Sequence, residues 1–409
     1  MRTAILGFGK EGKSLLKFLK KAVILDQKLD TSYLDRLDQF DLIYRSPGVP
    51  YNLPKIQNAI KKGVKFSSAT KLFFDLCPGK IIGVTGTKGK GTTSTLIYQI
   101  LKNSGKKVLL AGNIGKPVLD ILPRADKNTF VVFELSSFQL QDLEKSPEIA
   151  VIVDIFPDHL DIHKNMKEYL GAKSNAARHQ KKSDTIFYFK NNLLSRVIAE
   201  KSAGKKVPVI APNDLSKNKI MAAAVTKHLG CPPSIIEKTI KNFPGMEHRM
   251  EFVYSNVLEN IRIDFYNDSA STNPQTTAAA ILSFGKNQVT NQPSNQSLIL
   301  IAGGKDKNLD YAPLAKALNK SNSVKQVILI GENKEKIKQA LSYAKAPVVS
   351  AENLISAVKK AHQKIKQLIN LSANQPITVL FSPGAASFDM FKDYKDRGSQ
   401  FKKIISTKP

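Results

Sequence analysis

Apolar runs of four to six residues alternate with amphipathic stretches along nearly the whole chain, and this alternation restricts the fold to a layered α/β architecture. A continuously apolar run suits a strand buried on both faces, and such strands belong to parallel sheets covered by helices. Thr3–Leu6, Ala22–Leu25 and Asp41–Tyr44 are runs of this kind, with a helix over Gly12–Leu19 between the first two. That first unit fades toward Cys77-Pro78-Gly79, which reads as a linker. A second unit opens with the strand Lys80–Thr85 and a helix from about Thr92 to Asn103. Its further strands are Val108–Ala111, Phe130–Leu135, Ala150–Val153 and Thr185–Phe189. Helices over Ser216–Leu229 and Pro232–Asn242 then lead to a boundary at Phe243-Pro244-Gly245. The third unit has strands at Ile261–Tyr266, Leu298–Ala302, Gln326–Ile330 and Ile377–Phe381, and the Asn- and Gln-rich Gly285–Ser297 is a surface loop. Three α/β domains are therefore expected, over 1–76, 77–243 and 244–409.

With 409 residues the chain is too long for a single core, which agrees with several domains. No apolar run is long enough to span a bilayer, so membrane insertion is not expected. Met1–Gly9 lacks a signal peptide's apolar region and reads as a first strand. Two cysteines, Cys77 and Cys231, stand far apart without metal-ligand spacing, which points to a reducing, cytoplasmic compartment. The formal net charge is +28. The lysines are scattered in doublets such as Lys20-Lys21 and Lys359-Lys360, without a stripe of interleaved aromatics, so no nucleic-acid partner is expected.

Two glycine clusters carry the chemistry. Gly7-Phe8-Gly9-Lys10-Glu11-Gly12 fits GxGxxG between a strand and a helix, where backbone N–H groups and a helix N-terminus face a diphosphate. Asp26, after the next strand, stands where an acidic residue meets a ribose. Taken alone, this cluster reads as a dinucleotide or nucleotide-sugar site, and an NAD(P)-dependent enzyme is the reading from a different class. The second cluster is Gly86-Thr87-Lys88-Gly89-Lys90-Gly91-Thr92-Thr93, entered from a buried strand and followed by a helix. Its N–H groups cradle phosphates, Lys90 reaches the terminal phosphate, and a threonine hydroxyl holds Mg²⁺. It departs from the strict P-loop motif: Val84 occupies the first glycine position and Gly91 follows the lysine.

Gly86–Thr92 resembles the ATP loop of the Mur ligase superfamily, which includes folylpolyglutamate synthases. Further segments in the same order narrow the resemblance to that family's D-glutamate-adding ligases. They are Gly112-Asn113-Ile114-Gly115, Glu134-Leu135-Ser136-Ser137-Phe138-Gln139-Leu140, Asp158-His159-Leu160-Asp161, Asn267-Asp268-Ser269, Gly303-Gly304-Lys305-Asp306-Lys307 and Ser382–Asp389, with Phe391, Arg397-Gly398 and Phe401 completing the signature. The resemblance covers the whole chain. It implies a Rossmann-like N-terminal domain, a central P-loop-type ATPase and a Rossmann-like C-terminal domain. It implies an ATP-dependent ligase that adds D-glutamate to UDP-N-acetylmuramoyl-L-alanine through an acyl phosphate, in peptidoglycan precursor synthesis. A relative that takes another amino acid, or a folate, is the alternative within the superfamily. ATP and two Mg²⁺ ions are implied, with small-molecule partners and a monomeric chain.

The site residues implied by the resemblance fall on matching positions. Lys90, Glu134, His159 and Lys173 would be catalytic, with Thr92, Glu134, His159 and a carbamylated Lys173 on the metals. Gly86–Thr93, Asn218, Arg249 and Asp268 would contact ATP. Lys10, Glu11, Asp26, Gln27, Ser46, Asn113 and Ser136 would contact the UDP-substrate, and Thr272, Lys307, Ser387, Phe388 and Tyr394 the D-glutamate. Departures from the family pattern are Gly91, which shifts the metal hydroxyl to Thr92, Ala270 in place of a lysine, Asp214-Leu215 in place of His-Asn, and Asp154 in place of an asparagine. The Lys190–Lys217 stretch also reads as shortened.

Overall fold

A computed structural model describes residues 2–113, 115–159, 162–211, 217–284, 296–371 and 375–407. Ile114, Leu160, Asp161, Asp214-Leu215, the start of the Ser216 helix and most of the Gly285–Ser297 stretch lie outside the described residues. The chain divides into two compact units, Met1–Phe243 and Pro244–Pro409.

The first unit holds two parallel sheets. Strands β1 (Thr3–Leu6), β2 (Val23–Leu25), β3 (Leu42–Arg45) and β4 (Lys65–Ser67) pair in the order β2-β1-β3-β4. Strands β5 (Lys80–Thr85), β6 (Val108–Gly112), β7 (Phe130–Glu134), β8 (Ile149–Ile152), β9 (Thr185–Phe189) and β10 (Lys205–Val209) pair in the order β10-β9-β8-β5-β7-β6. One core joins the sheets: Ile5, Leu15, Tyr44 and Phe73 pack with Phe133, Leu135 and Ile152, and Phe73 meets Phe133 edge-on at 5.7 Å. The other face of the small sheet has its own core of Ala4, Leu6, Ile43 and Ile56. In the six-stranded sheet the chain leaves β5 toward β6 and leaves β8 in the opposite direction toward β9. The connections therefore reverse direction between β5 and β8, and the C-terminal ends of strands at such a reversal are the usual ligand position in these sheets.

The second unit holds β11 (Glu251–Leu258), β12 (Ile261–Asn267), β13 (Ser297–Gly303), β14 (Val324–Ile330), β15 (Val348–Ser350) and β16 (Ile377–Phe381), ordered β11-β12-β16-β13-β14-β15. All pairs are parallel except β11–β12. Each face carries an apolar cluster, one around Phe381 and Phe401 and the other around Leu300 and Leu314.

Several expected boundaries shift. The helix placed at Thr92 begins at Lys90, because Gly89 at φ +89° supplies the left-handed turn into it. Ser297, placed in the polar loop, is the first residue of β13. The Lys190–Lys217 stretch still contains a helix, Leu193–Ala199, and the edge strand β10.

Candidate active site at the glycine loop

The loop after β5 is held by the end of β8. The Thr87 N–H donates to the Asp154 carbonyl at 2.6 Å. The Thr87 hydroxyl donates to Phe156 O at 3.0 Å and pairs with the Tyr169 hydroxyl at 2.8 Å. Gly86 and Gly89 both have positive φ, and a Cβ on Gly89 would come within 2.2 Å of Asn218 Oδ1. Asn218 therefore packs directly on the loop, and Thr93 donates to its Oδ1 at 3.4 Å. Asp154 pairs with Lys217 through its carboxylate. Lys90, in the first turn of the helix Lys90–Asn103, folds its Nζ back onto Gly86 O at 3.0 Å and Thr87 O at 3.1 Å. Lys88 lies 6.0 Å from the Phe156 ring. Gly91 and Thr92 remain partly accessible, whereas Thr93 is buried.

Lys173 is brought to the same place from the helix Met166–Arg178. Its Nζ donates to Gly86 O at 2.8 Å and sits 4.7 Å from the Tyr169 ring. Burial pushes its pKa well below the usual lysine value, and the charge of Lys90 pushes the same way, against Asp158 and Glu134. Glu134 is buried at the C-terminal end of β7. His159, at φ +54°, lies beside Asp158 and meets the Phe138 ring edge-on at 5.1 Å. Mg²⁺ takes one or two carboxylates together with waters and substrate phosphate oxygens, and Glu134 with the Thr92 hydroxyl fits that donor set. A second ion at His159 fits only if Lys173 carries an anion, since an ammonium repels a cation. The neutral amine that burial favours is the form that reacts with CO₂ to give such a carbamate.

The expected UDP-substrate residues gather at the first glycine turn and the start of the short helix Ser137–Leu140. Ser46 donates to Gly7 O at 2.5 Å. Asp26 accepts from the N–H groups of Phe8 at 2.5 Å and Lys28 at 2.9 Å, which lowers its pKa. Asp26 thus braces the turn itself, with Gln27 exposed beside it. Lys10 is exposed, whereas Glu11 turns inward and accepts from Gln139 Nε2 at 2.7 Å, burial raising its pKa. Ser136 caps the Ser137–Leu140 helix reciprocally with Gln139, and Asn113 is exposed after β6.

In the second unit Arg249 precedes β11, Tyr394 opens the helix Tyr394–Ser406, and the loops after β12, β13 and β16 carry the remaining residues. Asp268 is buried and accepts from Met250 N at 3.1 Å, Ser271 Oγ at 2.5 Å and Ser382 Oγ at 2.8 Å. Burial raises its pKa against those hydrogen bonds and the charge of Arg249. Lys307 lies 5.9 Å from the Phe388 ring, beside buried Ser387. Tyr394 meets His248 edge-on at 6.4 Å, and Thr272 follows buried Ser271.

Three buried side chains went unassigned in the sequence. Arg397 donates to Ser269 O, Ser269 Oγ, Ala385 O and Ala386 O at 2.9–3.1 Å, fastening two of the loops together, and burial lowers its pKa to about 10. His163 is stacked on Phe138 at 5.2 Å and shares a hydrogen bond with Ser137 Oγ at 3.0 Å, and burial holds its pKa down. Arg45 is the third. Of these, only Arg397 had any signal in the sequence, as part of a quoted motif.

Residues 84–254 match the Mur ligase middle domain, and residues 248–383 match the Mur ligase glutamate ligase domain. The UDP-N-acetylmuramoylalanine–D-glutamate ligase of Acetivibrio thermocellus is 34% identical, over 95% of this chain and 87% of its own. The enzyme of the same name from Clostridium tetani is 32% identical, over 98% and 91%. The chain belongs to the Mur ligase family.

Solved structures of a Mur ligase and of FolC share the fold. UDP-N-acetylmuramate-alanine ligase MurC from Thermotoga maritima has a TM-score of 0.59 at 16% identity over 100% of both chains. E. coli FolC in complex with ADP has a TM-score of 0.58 at 15% identity, over 83% of this chain and 93% of that one. Within this Mur ligase the glycine loop, Glu134, His159 and Lys173 all fall in the middle-domain match. Asp268 and Lys307 fall in the glutamate ligase match, and Ser387, Phe388 and Tyr394 lie beyond its end.

Proposed function

We propose that this Mur ligase joins the carboxylate of UDP-N-acetylmuramoyl-L-alanine to the amino group of D-glutamate, with ATP cleaved to ADP and phosphate, in cytoplasmic peptidoglycan precursor synthesis. The observation that carries the reading is the near full-length similarity to D-glutamate ligases, coupled with a phosphate-type loop that gathers Lys90, Lys173 and Asn218. The acceptor carboxylate attacks the γ-phosphorus of ATP and displaces ADP, giving an acyl phosphate. The amine of D-glutamate attacks the acyl carbon, loses a proton, and phosphate leaves as the tetrahedral intermediate collapses.

Lys90 swings from the loop carbonyls to the transferred phosphoryl group and offsets its charge. Glu134, Thr92, His159 and carbamylated Lys173 are the groups to hold Mg²⁺, which when bound neutralises phosphate charge. The N–H groups of Gly86–Thr93 cradle the phosphates, and Asn218, Arg249 and Asp268 contact the nucleotide. Lys10, Glu11, Asp26, Gln27, Ser46, Asn113 and Ser136 hold the UDP-substrate. Lys307 pairs with a glutamate carboxylate beside Thr272, Ser387, Phe388 and Tyr394. The three domains 1–76, 77–243 and 244–409 divide these tasks, and the chain acts as a monomer.

The acyl-phosphate route is tested by labelling both carboxylate oxygens of the acceptor with ¹⁸O. One label must appear in the released phosphate. Unlabelled phosphate alongside ligated product contradicts the route.

A further inference from the structure

We propose that Arg45 is a positioning residue: it fixes the span between the first glycine turn and the segment carrying Glu134 and Ser136, and so governs the binding of a substrate anchored at both places. This rests on the UDP-substrate reading given above.

Arg45 ends β3 and is 1% exposed. Its Nη1 donates to Val49 O at 2.7 Å, closing the turn that begins at Ser46. Its Nη2 donates to Phe138 O at 3.1 Å and to Asp142 Oδ1 at 2.9 Å. The guanidinium also lies 5.3 Å from the Tyr51 ring. Ser46, the next residue, binds Gly7 O, so this strand end touches the glycine turn directly. Phe138 follows Ser136 by two residues, meets the ring of His159 edge-on and stacks on that of His163. One side chain therefore bonds at once to the Ser46–Val49 turn, which packs on Gly7 of the glycine turn, and to the segment that follows Ser136. Of the other polar contacts between these layers, Ser14 to Asp120 at 2.7 Å and Gln139 to Glu11 at 2.7 Å brace the helix Lys10–Leu19, Asn52 pairs with Glu168, and Lys71 faces Asp142 only at 4.0 Å and exposed Glu144 at 3.7 Å.

A buried ion pair is a costly way to join two layers, and well-packed apolar groups often serve stability as well. What the guanidinium fork adds is direction: several hydrogen bonds from one planar group fix both distance and orientation. A nucleotide sugar with its diphosphate at one end and a reacting carboxylate at the other is a two-headed ligand. Once one head is bound, the second binds at an effective concentration that depends on the span being held. Loosening that span weakens the full substrate but leaves the isolated UDP head untouched.

The test compares wild type with Arg45→Met, Arg45→Lys and the pair Arg45→Met/Asp142→Asn, which leaves no lone buried carboxylate. Calorimetry gives Kd for UDP, for UDP-N-acetylmuramoyl-L-alanine and for ATP. The expected result is a loss on the order of tenfold in affinity for the full substrate in both Met variants, with UDP and ATP binding unchanged. Arg45→Lys recovers part of it, because it keeps the charge facing Asp142 but not the fork. Equal weakening of UDP and full substrate shows a merely structural role and overturns the proposal, as does unchanged binding of the full substrate. A wild-type chain that binds neither UDP nor the nucleotide sugar overturns the substrate assignment and this proposal with it.

Discussion

Lys173 is a base placed where a charge is expensive, and its neighbours say what that is for. The side chain is buried against a carbonyl and a tyrosine ring, with a second lysine acting on it. Its folded-state pKa lies below the unfolded 10.5, so between the two values the unfolded chain binds one more proton. Stability therefore rises with pH across that window, while below the folded pKa both states are charged and the full burial cost applies. Urea unfolding in CO₂-free buffer should show this rise in wild type and lose it in Lys173→Met; equal slopes contradict the burial of a neutral amine. Lys90 has the opposite character, since its ammonium is partly accessible and held by the carbonyls of the glycine loop. Lys90→Ala should lower turnover on the order of a thousandfold with an unchanged unfolding midpoint, and normal turnover would remove Lys90 from the site.

At the scale of elements, the glycine loop and the helix after it form one device. Gly89 caps the helix Lys90–Asn103 in a conformation that side chains rarely adopt, with Asn218 against its Cα. Gly89→Ala should cost about 1–3 kcal/mol in stability and weaken ATP binding while leaving UDP binding alone. Calorimetry on both ligands checks it, and unchanged ATP affinity contradicts the account of the loop. The central strands were legible because burial on both faces leaves continuous apolar runs: β1, β5, β9 and β16 lie where the sequence puts them. Of the edge strands, β2 and β6 were read within a residue, whereas β4, β10, β11 and β15 were not. Lys205–Val209 carries two lysines and a proline, features that suit an edge but hide a strand. β11 exposes Phe252 and Tyr254 and pairs antiparallel, so it lacks the buried pattern. The glycine loop and the motif carboxylates and lysines were visible as motifs. Arg45 and His163 were not, because their roles depend on contacts 93 and 26 residues away in the chain.

Across the whole molecule, two compact units each end their parallel strands in loops rich in polar groups, and neither cluster alone accounts for a ligation. The first unit has the loop, Glu134 and Lys173; the second has Asp268, Lys307 and Ser387. A ligase that activates one substrate and then accepts another gives both clusters a purpose. A dehydrogenase would explain the first glycine turn and leave the second without one. The most direct measurement is phosphate release from purified protein with ATP, Mg²⁺, UDP-N-acetylmuramoyl-L-alanine and a panel of amino acids and folates. Release that requires all four components, with D-glutamate as the amino acid, is the result this account predicts. Release without the nucleotide sugar, or with another amino acid or a folate in place of D-glutamate, would contradict it.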